Sequence, residues 1–221
     1  AAAVMLVLLL TTCPLSSAAV ATDRPPNIVL IVADDLGYAD LHCQGASYPT
    51  PHLDQLAAAG TRFTDFYVAQ PVCTASRAGF LTGCYPNRVS LQGALNHTSR
   101  NGIHPDEQLL PELLQQRGYA TAIFGKWHLG TASDFHPLKH GFEQYLGIPY
   151  SNDNSRYHPV LAAEMPPLPL YDGLQISERD PDQSQFTRRF TERAVSFIQQ
   201  QARRPFFLYV PHVMPHVPIF A

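Results

Sequence analysis

Three apolar runs, each followed at once by a short polar phrase, constrain the fold of this chain most. Asn27-Ile-Val-Leu-Ile-Val-Ala33 leads into Asp34-Asp35-Leu36-Gly37-Tyr38. Tyr119-Ala-Thr-Ala-Ile-Phe124 leads into Gly125-Lys126-Trp127-His128-Leu129-Gly130, and Pro205-Phe-Phe-Leu-Tyr-Val210 into the segment from Pro211 to Pro218. The runs at 27–33 and 206–210 do not alternate, so they read as strands buried on both faces, as in a parallel sheet. Helical stretches separate them, and strands and helices alternate along the chain. The fold class is therefore α/β, a mainly parallel sheet with helices on both faces. In such sheets ligands bind at the carboxyl ends of the strands. The polar phrases at 34–35, 126–128 and 212–216 are thus expected to line one cleft.

A fourth stretch belongs with them. Cys73-Thr-Ala-Ser-Arg-Ala-Gly-Phe-Leu-Thr-Gly83 has helix-forming Ala, Arg, Phe and Leu and a glycine to end it. A helix starting near Thr74 places Cys73 at its N-terminus, where backbone N–H groups and the positive dipole end favour an anion. Arg77 follows one turn later on the same face. Read by the residues alone, this is equally a small buried cysteine beside a surface arginine.

The other phrases carry similar alternatives. Asp34 and Asp35 repel each other unless a cation neutralises them, and hard oxygens suit Ca²⁺ or Mg²⁺. They also read as an acidic turn capping the next element. Lys126 and His128, two apart, share one face of an extended segment. A lysine there can hold an anionic oxygen and a histidine can move protons, or the two are a surface lysine and a packed histidine around the single tryptophan. Ser151, in Leu146-Gly-Ile-Pro-Tyr-Ser-Asn-Asp153, is by itself a turn serine. His212 and His216 end the last run, and His212 reads equally as structural.

Cys-x-Ala-x-Arg followed by Leu-Thr-Gly, with Gly-Lys-Trp-His-Leu-Gly, resembles the signature of the formylglycine-dependent type I sulfatases of the alkaline phosphatase superfamily. The segment from Pro51 to Phe66 resembles the sulfatase pattern between metal carboxylates and nucleophile, and the phrase around Ser151 resembles the arylsulfatase A-like members. The resemblance covers residues 26–221 as the N-terminal portion of the family's pattern. It implies hydrolysis of an aryl or carbohydrate sulfate monoester. It implies oxidation of Cys73 to Cα-formylglycine by a formylglycine-generating enzyme, with the aldehyde hydrate as nucleophile. It places Ca²⁺, or Mg²⁺, on Asp34, Asp35 and oxidised Cys73. Arg77 would orient the hydrate, His128 supported by Lys126 would take a proton, and His216 would assist the leaving oxygen. Lys126, Ser151 and His216 would contact the substrate. A second acidic and amide pair and another lysine of the family pattern are absent here, so the chain reads as a truncated catalytic domain, inactive as residues 22–221 alone. Two alternatives remain at this point: a phosphonate or phosphodiester hydrolase of the same superfamily, and a non-catalytic sulfated-glycan-binding homologue.

Composition bounds the remainder. The 221 residues are 45% hydrophobic and 15% charged, which supports one substantial core and excludes a disordered chain. A net charge of −3 excludes a nucleic-acid surface. Val4 to Leu10 is apolar, and Ala19-Val20-Ala21 offers a cleavage site. Residues 1–21 therefore read as a signal peptide whose start is incomplete, with no membrane span. The expected location is the secretory pathway: periplasmic or extracellular in a bacterium, lysosomal or secreted in an animal. A homo-oligomer is left open. Cys13 leaves with the leader. If Cys73 is converted, Cys43 and Cys84 remain as a candidate pair. Asn96-His97-Thr98 is a glycosylation sequon.

Lesser elements complete the expectation. Thr50 caps a helix opening with Pro51 and ended by Gly60. Arg62 to Val68 alternates as a strand, and Leu109 to Arg117 forms a helix ended by Gly118. Residues 158–182 form a proline-rich surface excursion at the substrate mouth. Gln185 to Arg203 is a helix burying Phe186, Phe190, Ala194, Phe197 and Ile198, with Arg188, Arg189, Glu192 and Arg193 on a solvated face.

Overall fold

In the computed structural model, residues 24–201 and 203–220 are described. The leader expected at 1–21 and its Cys13 lie outside them. One six-stranded sheet organises the molecule, in the order β1-β6-β2-β3-β4-β5. Its strands are β1 (Ile28–Val32), β2 (Ala120–Lys126), β3 (Gln144–Ile148), β4 (Pro169–Asp172), β5 (Gln175–Arg179) and β6 (Phe206–Pro211). The pairs β1/β6, β6/β2 and β2/β3 are parallel, and β4 and β5 add an antiparallel hairpin at the far edge.

Helices cover both faces, as the apolar runs require. In β2 and β6 the side chains alternate between two cores. Ala120, Ala122, Phe124, Phe206, Leu208 and Val210 meet Phe186, Phe190, Ala194 and Phe197 of α4 (Phe186–Gln200). That spacing is one stripe of a 3.6-residue period. On the other face, Ile123, Phe207 and Tyr209 share a core with Ala78 and Leu81 of α2 (Cys73–Thr82). Leu110 and Leu114 of α3 (Leu110–Gln115) pack against that same core. β2 and β6 are buried at every position. Gly125 is required where β2 passes β6: it has φ 141°, and a Cβ there would stand 2.1 Å from the Pro211 carbonyl oxygen.

Several expectations are corrected. β1 is an edge strand. Ile28, Leu30 and Val32 pack inward, while Val29 and Ile31 are 46% and 61% exposed, so the run is apolar on both faces but covered on one. Arg62 to Val68 is not a strand. Its Phe63, Phe66 and Tyr67 do not alternate strictly, and Phe63 packs on Phe66 at 6.4 Å rather than on a neighbouring strand. The excursion at 158–182 contains β4 and β5, because Leu168 and Leu170 bury themselves against the α4 core. Ile198 of α4 is 40% exposed. Of the charges on α4, Arg189 pairs with Glu178 and Arg193 with Asp172, so this face docks the hairpin as well as meeting water. Thr50 precedes α1 (Pro51–Ala59) without a side-chain cap and instead donates to Asp54. Cys43, Cys73 and Cys84 are all free thiols, so the pairing of Cys43 with Cys84 is not formed. Gly83 closes α2 in the left-handed conformation, donating to the Gly79 carbonyl, and Gly60 closes α1, but α3 stops at Gln115 with Gln116, not Gly118, at its end.

Candidate active site

Cys73 is the first residue of α2, preceded by Val72 in an extended conformation. Helix geometry therefore gives it the N-terminal position that the sequence predicts. It shares one cleft with Asp34, Asp35 and Arg77. Arg77, one turn along α2, is 2% exposed, and this is where the surface-arginine reading fails.

A buried ionic cluster lies beneath the cleft. Asp34, just past the end of β1, accepts from Lys126 Nζ at 2.6 Å on Oδ2, and Arg77 reaches the same oxygen at 3.2 Å. Lys126 is fully buried at the end of β2, and Arg77 also donates to the Lys126 carbonyl oxygen at 2.6 Å. Lys126 Nζ donates further to Ser151 Oγ at 3.0 Å. Ser151 follows β3, so three parallel strand ends and the start of α2 meet here. Burial pushes the Asp34 carboxyl up, but the Arg77 and Lys126 charges outweigh it and hold Asp34 below the ordinary carboxylate range. Burial pushes Lys126 down, and Arg77 adds to that, while Asp34 opposes it. An ionised Asp34 at 2.6 Å keeps the ammonium form in place.

His216, beyond β6, stands on the thiol side. Its Nε2 lies 3.6 Å from Asp35 Oδ2. The Cys73 side chain beside it raises the His216 pKa above its usual value against the effects of burial and Lys126. Burial pushes the Cys73 thiol up, but His216, Lys126 and Arg77 together bring it below its ordinary value. Asp35 has φ 60°, a left-handed turn that an aspartate tolerates. The turn lets two adjacent carboxylates line one cleft, where an extended chain would send them to opposite faces.

His128 departs from the expected geometry. β2 ends at Lys126, and His128 has φ 62°, so 126–128 is not an extended segment. Thr74 secures the turn: its hydroxyl donates to the His128 carbonyl at 2.9 Å and accepts from the Leu95 N–H at 3.1 Å. The ring is 1% exposed, with Nε2 2.5 Å from the Leu95 carbonyl oxygen. A carbonyl accepts only, so Nε2 carries the proton. Nδ1 then holds a lone pair, and it is buried without a hydrogen-bond partner among the described residues. Burial, then the Lys126 and Arg77 charges, push this histidine well below its usual pKa, so the ring is neutral.

His212 is not brought into this constellation by any hydrogen bond or ion pair among the described residues. Its backbone N–H holds the Val32 carbonyl, and burial lowers its pKa. Sequence reasoning missed Thr74, Leu95 and Asn152. Each acts through a backbone group distant in sequence, and no residue pattern announces such a bond.

The donor set fits part of a divalent-cation site. Asp34 and Asp35 are hard oxygen donors in the cleft of Cys73, but Asp34 already commits one oxygen to two cations. Among the described residues, no group of three or more His, Cys, Asp or Glu side chains is disposed to hold a metal. A Ca²⁺ ion takes six to eight oxygens, so other groups would have to supply most of its shell.

The family model described as Sulfatase matches residues 26–221. The chain is 43% identical over 223 residues to arylsulfatase A of Bos taurus, covering 93% of this chain and 44% of that one. It is 39% identical over 235 residues to N-acetylgalactosamine-6-sulfatase of Mus musculus, covering 97% and 44%. Among solved structures it is similar to Ps i-CgsB in complex with k-i-k-neocarrahexaose, with TM-score 0.76 and 34% identity, covering 88% of this chain and 46% of that one. The chain thus spans less than half the length of these relatives.

Proposed function

Because the chain belongs to the sulfatase family, we propose that the full-length protein hydrolyses a sulfate monoester of an aryl alcohol or a glycan. The observation that carries this reading is the convergence of Lys126, Arg77 and Asp34 beside Cys73 and His216. A sulfate ester bears one negative charge, and more develops on its oxygens as the ester bond breaks. Fixed cations aimed at that charge lower the barrier because they need no reorganisation.

Each residue then has a role. Oxidation of Cys73 by a formylglycine-generating enzyme gives an aldehyde whose hydrate supplies the nucleophilic hydroxyl. Asp34 and Asp35 would hold Ca²⁺ or Mg²⁺, which when bound polarises the sulfate oxygens. Arg77, fixed by Asp34 and the Lys126 carbonyl, orients the group at position 73. Lys126 directs two of its three hydrogens to Asp34 and Ser151, leaving one for a sulfate oxygen. Ser151 keeps Lys126 aimed and borders the sulfate. His216 gives a proton to the departing alcohol oxygen. His128, with its proton fixed on Nε2, takes one on Nδ1.

The relatives and the apolar leader also support export through the secretory pathway. No helix among the described residues is long and apolar enough to cross a membrane.

The test uses full-length protein made with and without the maturation enzyme. Mass spectrometry of the tryptic peptide Phe63–Arg77 should show the aldehyde only with that enzyme, and sulfate ester turnover should follow it. A panel of sulfate, phosphate and phosphonate esters should be led by the sulfates. An unmodified Cys73 that binds sulfated glycan without turnover would replace this reading with a binding protein. Preference for phosphodiesters would replace it with the other hydrolase.

A further inference from the structure

His216 and Ser151 reach the site from different loops, and one buried amide joins the two. Asn152 follows Ser151 and is fully buried. Its Nδ2 donates to Gln183 Oε1 at 3.1 Å and to the Pro218 carbonyl oxygen at 3.3 Å. Gln183, 3% exposed, donates back from Nε2 to the Asn152 carbonyl at 3.2 Å and to Ser155 Oγ at 3.3 Å. Ser155 Oγ donates to the same Asn152 carbonyl at 2.7 Å. An asparagine amide has two hydrogens, and both are used here on oxygen acceptors. The opposite orientation would set Oδ1 against two oxygens, while in this one Oδ1 is buried without a partner among the described residues, so the amide keeps both donors on Gln183 and Pro218.

The Pro218 contact bears on the site. The loop after β6 is held near its start by the Asp34 N–H on the Met214 carbonyl at 3.3 Å. At its end it is held by Asn152 on Pro218. His216 sits midway between these anchors, its Nε2 3.6 Å from Asp35 Oδ2. On its other side Asn152 is covalently next to Ser151, which bonds Lys126.

We propose that Asn152 is a positioning residue that fixes the separation between the His216 arm and the Ser151–Lys126 arm of the site. This rests on the roles given above to His216 and Lys126. Gln183 and Ser155 keep the amide turned toward Pro218. If the tie is lost, the loop keeps its Met214 anchor and His216 drifts. A misplacement on the order of 1 Å lowers a rate roughly a hundredfold. The loss falls on turnover, since Asn152 itself meets no substrate.

The experiment is a double-mutant cycle on matured full-length protein with Asn152→Ala, His216→Ala and both, assayed on aryl sulfates of graded leaving-group acidity. Asn152→Ala should lower kcat by roughly ten- to a hundredfold with KM little changed. The loss should be steepest for the least acidic leaving groups, because those depend most on His216. In the His216→Ala background the same change should add less than about twofold, since groups acting through one another are not additive. A merely structural asparagine would give multiplying losses and the same ratio for every leaving group, and that result overturns the proposal. If His216→Ala retains full turnover, the catalytic reading of His216 fails first, a distinct outcome that removes this inference too. Should Asn152→Ala not fold, Asn152→Ser keeps one hydroxyl donor and is read in the same cycle, with the same pattern at smaller amplitude.

Discussion

Two sets of ion pairs in this molecule have nearly equal lengths and opposite settings. In the cleft, Asp34 meets Lys126 at 2.6 Å and Arg77 at 3.2 Å, with all three side chains at most 6% exposed. On α4, Arg189 meets Glu178 and Arg193 meets Asp172, each at 2.5 Å, with side chains 29–46% exposed. Distance does not distinguish them, but burial does. Removing charges from water is expensive, and the mutual attraction of a buried set only offsets it when geometry is good. Surface pairs avoid most of that penalty and contribute little in return. A fold gains little stability from burying two cations on one carboxylate, so the cleft cluster is better explained by chemistry than by stability. The hairpin pairs need no functional explanation.

Removing the shared acceptor should give the largest effect. Asp34→Ala leaves two buried cations facing each other and is expected to destabilise the full-length protein by about 3–5 kcal/mol, with turnover lost. Denaturant unfolding beside wild type measures the first and an aryl sulfate assay the second. A change below about 1 kcal/mol would place the cluster with the surface pairs. The comparison sharpens when both signs are removed together. Asp34→Asn with Lys126→Met should recover only part of that stability, because it removes one of the two facing cations but leaves Arg77 buried without its carboxylate. Activity should stay absent. Recovery of activity with stability would show that the charges serve only the fold.

A buried bond without charge should fall between the extremes. The Thr74 hydroxyl serves two backbone groups, the His128 carbonyl and the Leu95 N–H, and the residue is fully buried. Thr74→Val preserves shape and strands both partners, at about 1–3 kcal/mol by unfolding measurements. Turnover should drop as well, because His128 then loses the restraint on its left-handed backbone. Unchanged stability would mean that both groups find other partners.

The same contrast explains what could be read from the sequence. β2 and β6 were legible because unbroken apolar runs have few places to go other than the middle of a covered sheet. α4 was legible through Phe186, Phe190, Ala194 and Phe197 at helical spacing, and α2 through Gly83 after the run from Cys73. The grouping of Asp34, Lys126 and His216 followed from their common place at strand ends. Burial was harder to see. β1 is as apolar as β6, yet Ile31 is 61% exposed, since exposure depends on which neighbour a strand receives. The β4–β5 hairpin was hidden because Gln175-Ile-Ser-Glu-Arg179 is exposed throughout, Ile176 included, and the residues that bury the excursion are Leu168 and Leu170. Thr74 and Asn152 bond to backbone atoms 54 and 66 residues away, which no local pattern encodes.

The smallest effect belongs to the hairpin. Arg189→Ala removes a two-pronged contact, Nη1 on Glu178 Oε2 at 3.0 Å and Nη2 on Oε1 at 2.5 Å. Such exposed pairs contribute about 0.2–1 kcal/mol, and the two-pronged geometry favours the upper part of that range. Turnover should be unchanged, because β5 lies at the sheet edge away from the cleft. The pH dependence has a definite sign. The hydrogen bonds from Arg189 hold the Glu178 carboxyl below its ordinary value. A group depressed on folding binds fewer protons folded than unfolded, so its stabilisation is present above the unfolded pKa and disappears as pH falls through the folded one. The difference between wild type and Arg189→Ala should therefore be constant near neutrality and shrink toward zero in acid. Salt should shrink it too, since exposed charges are screened, while the buried Asp34 cluster should respond far less. Unfolding curves at two pH values and two salt concentrations decide this. If the Arg189→Ala difference persists in acid and high salt, Arg189 acts by packing its stem on the hairpin rather than by charge.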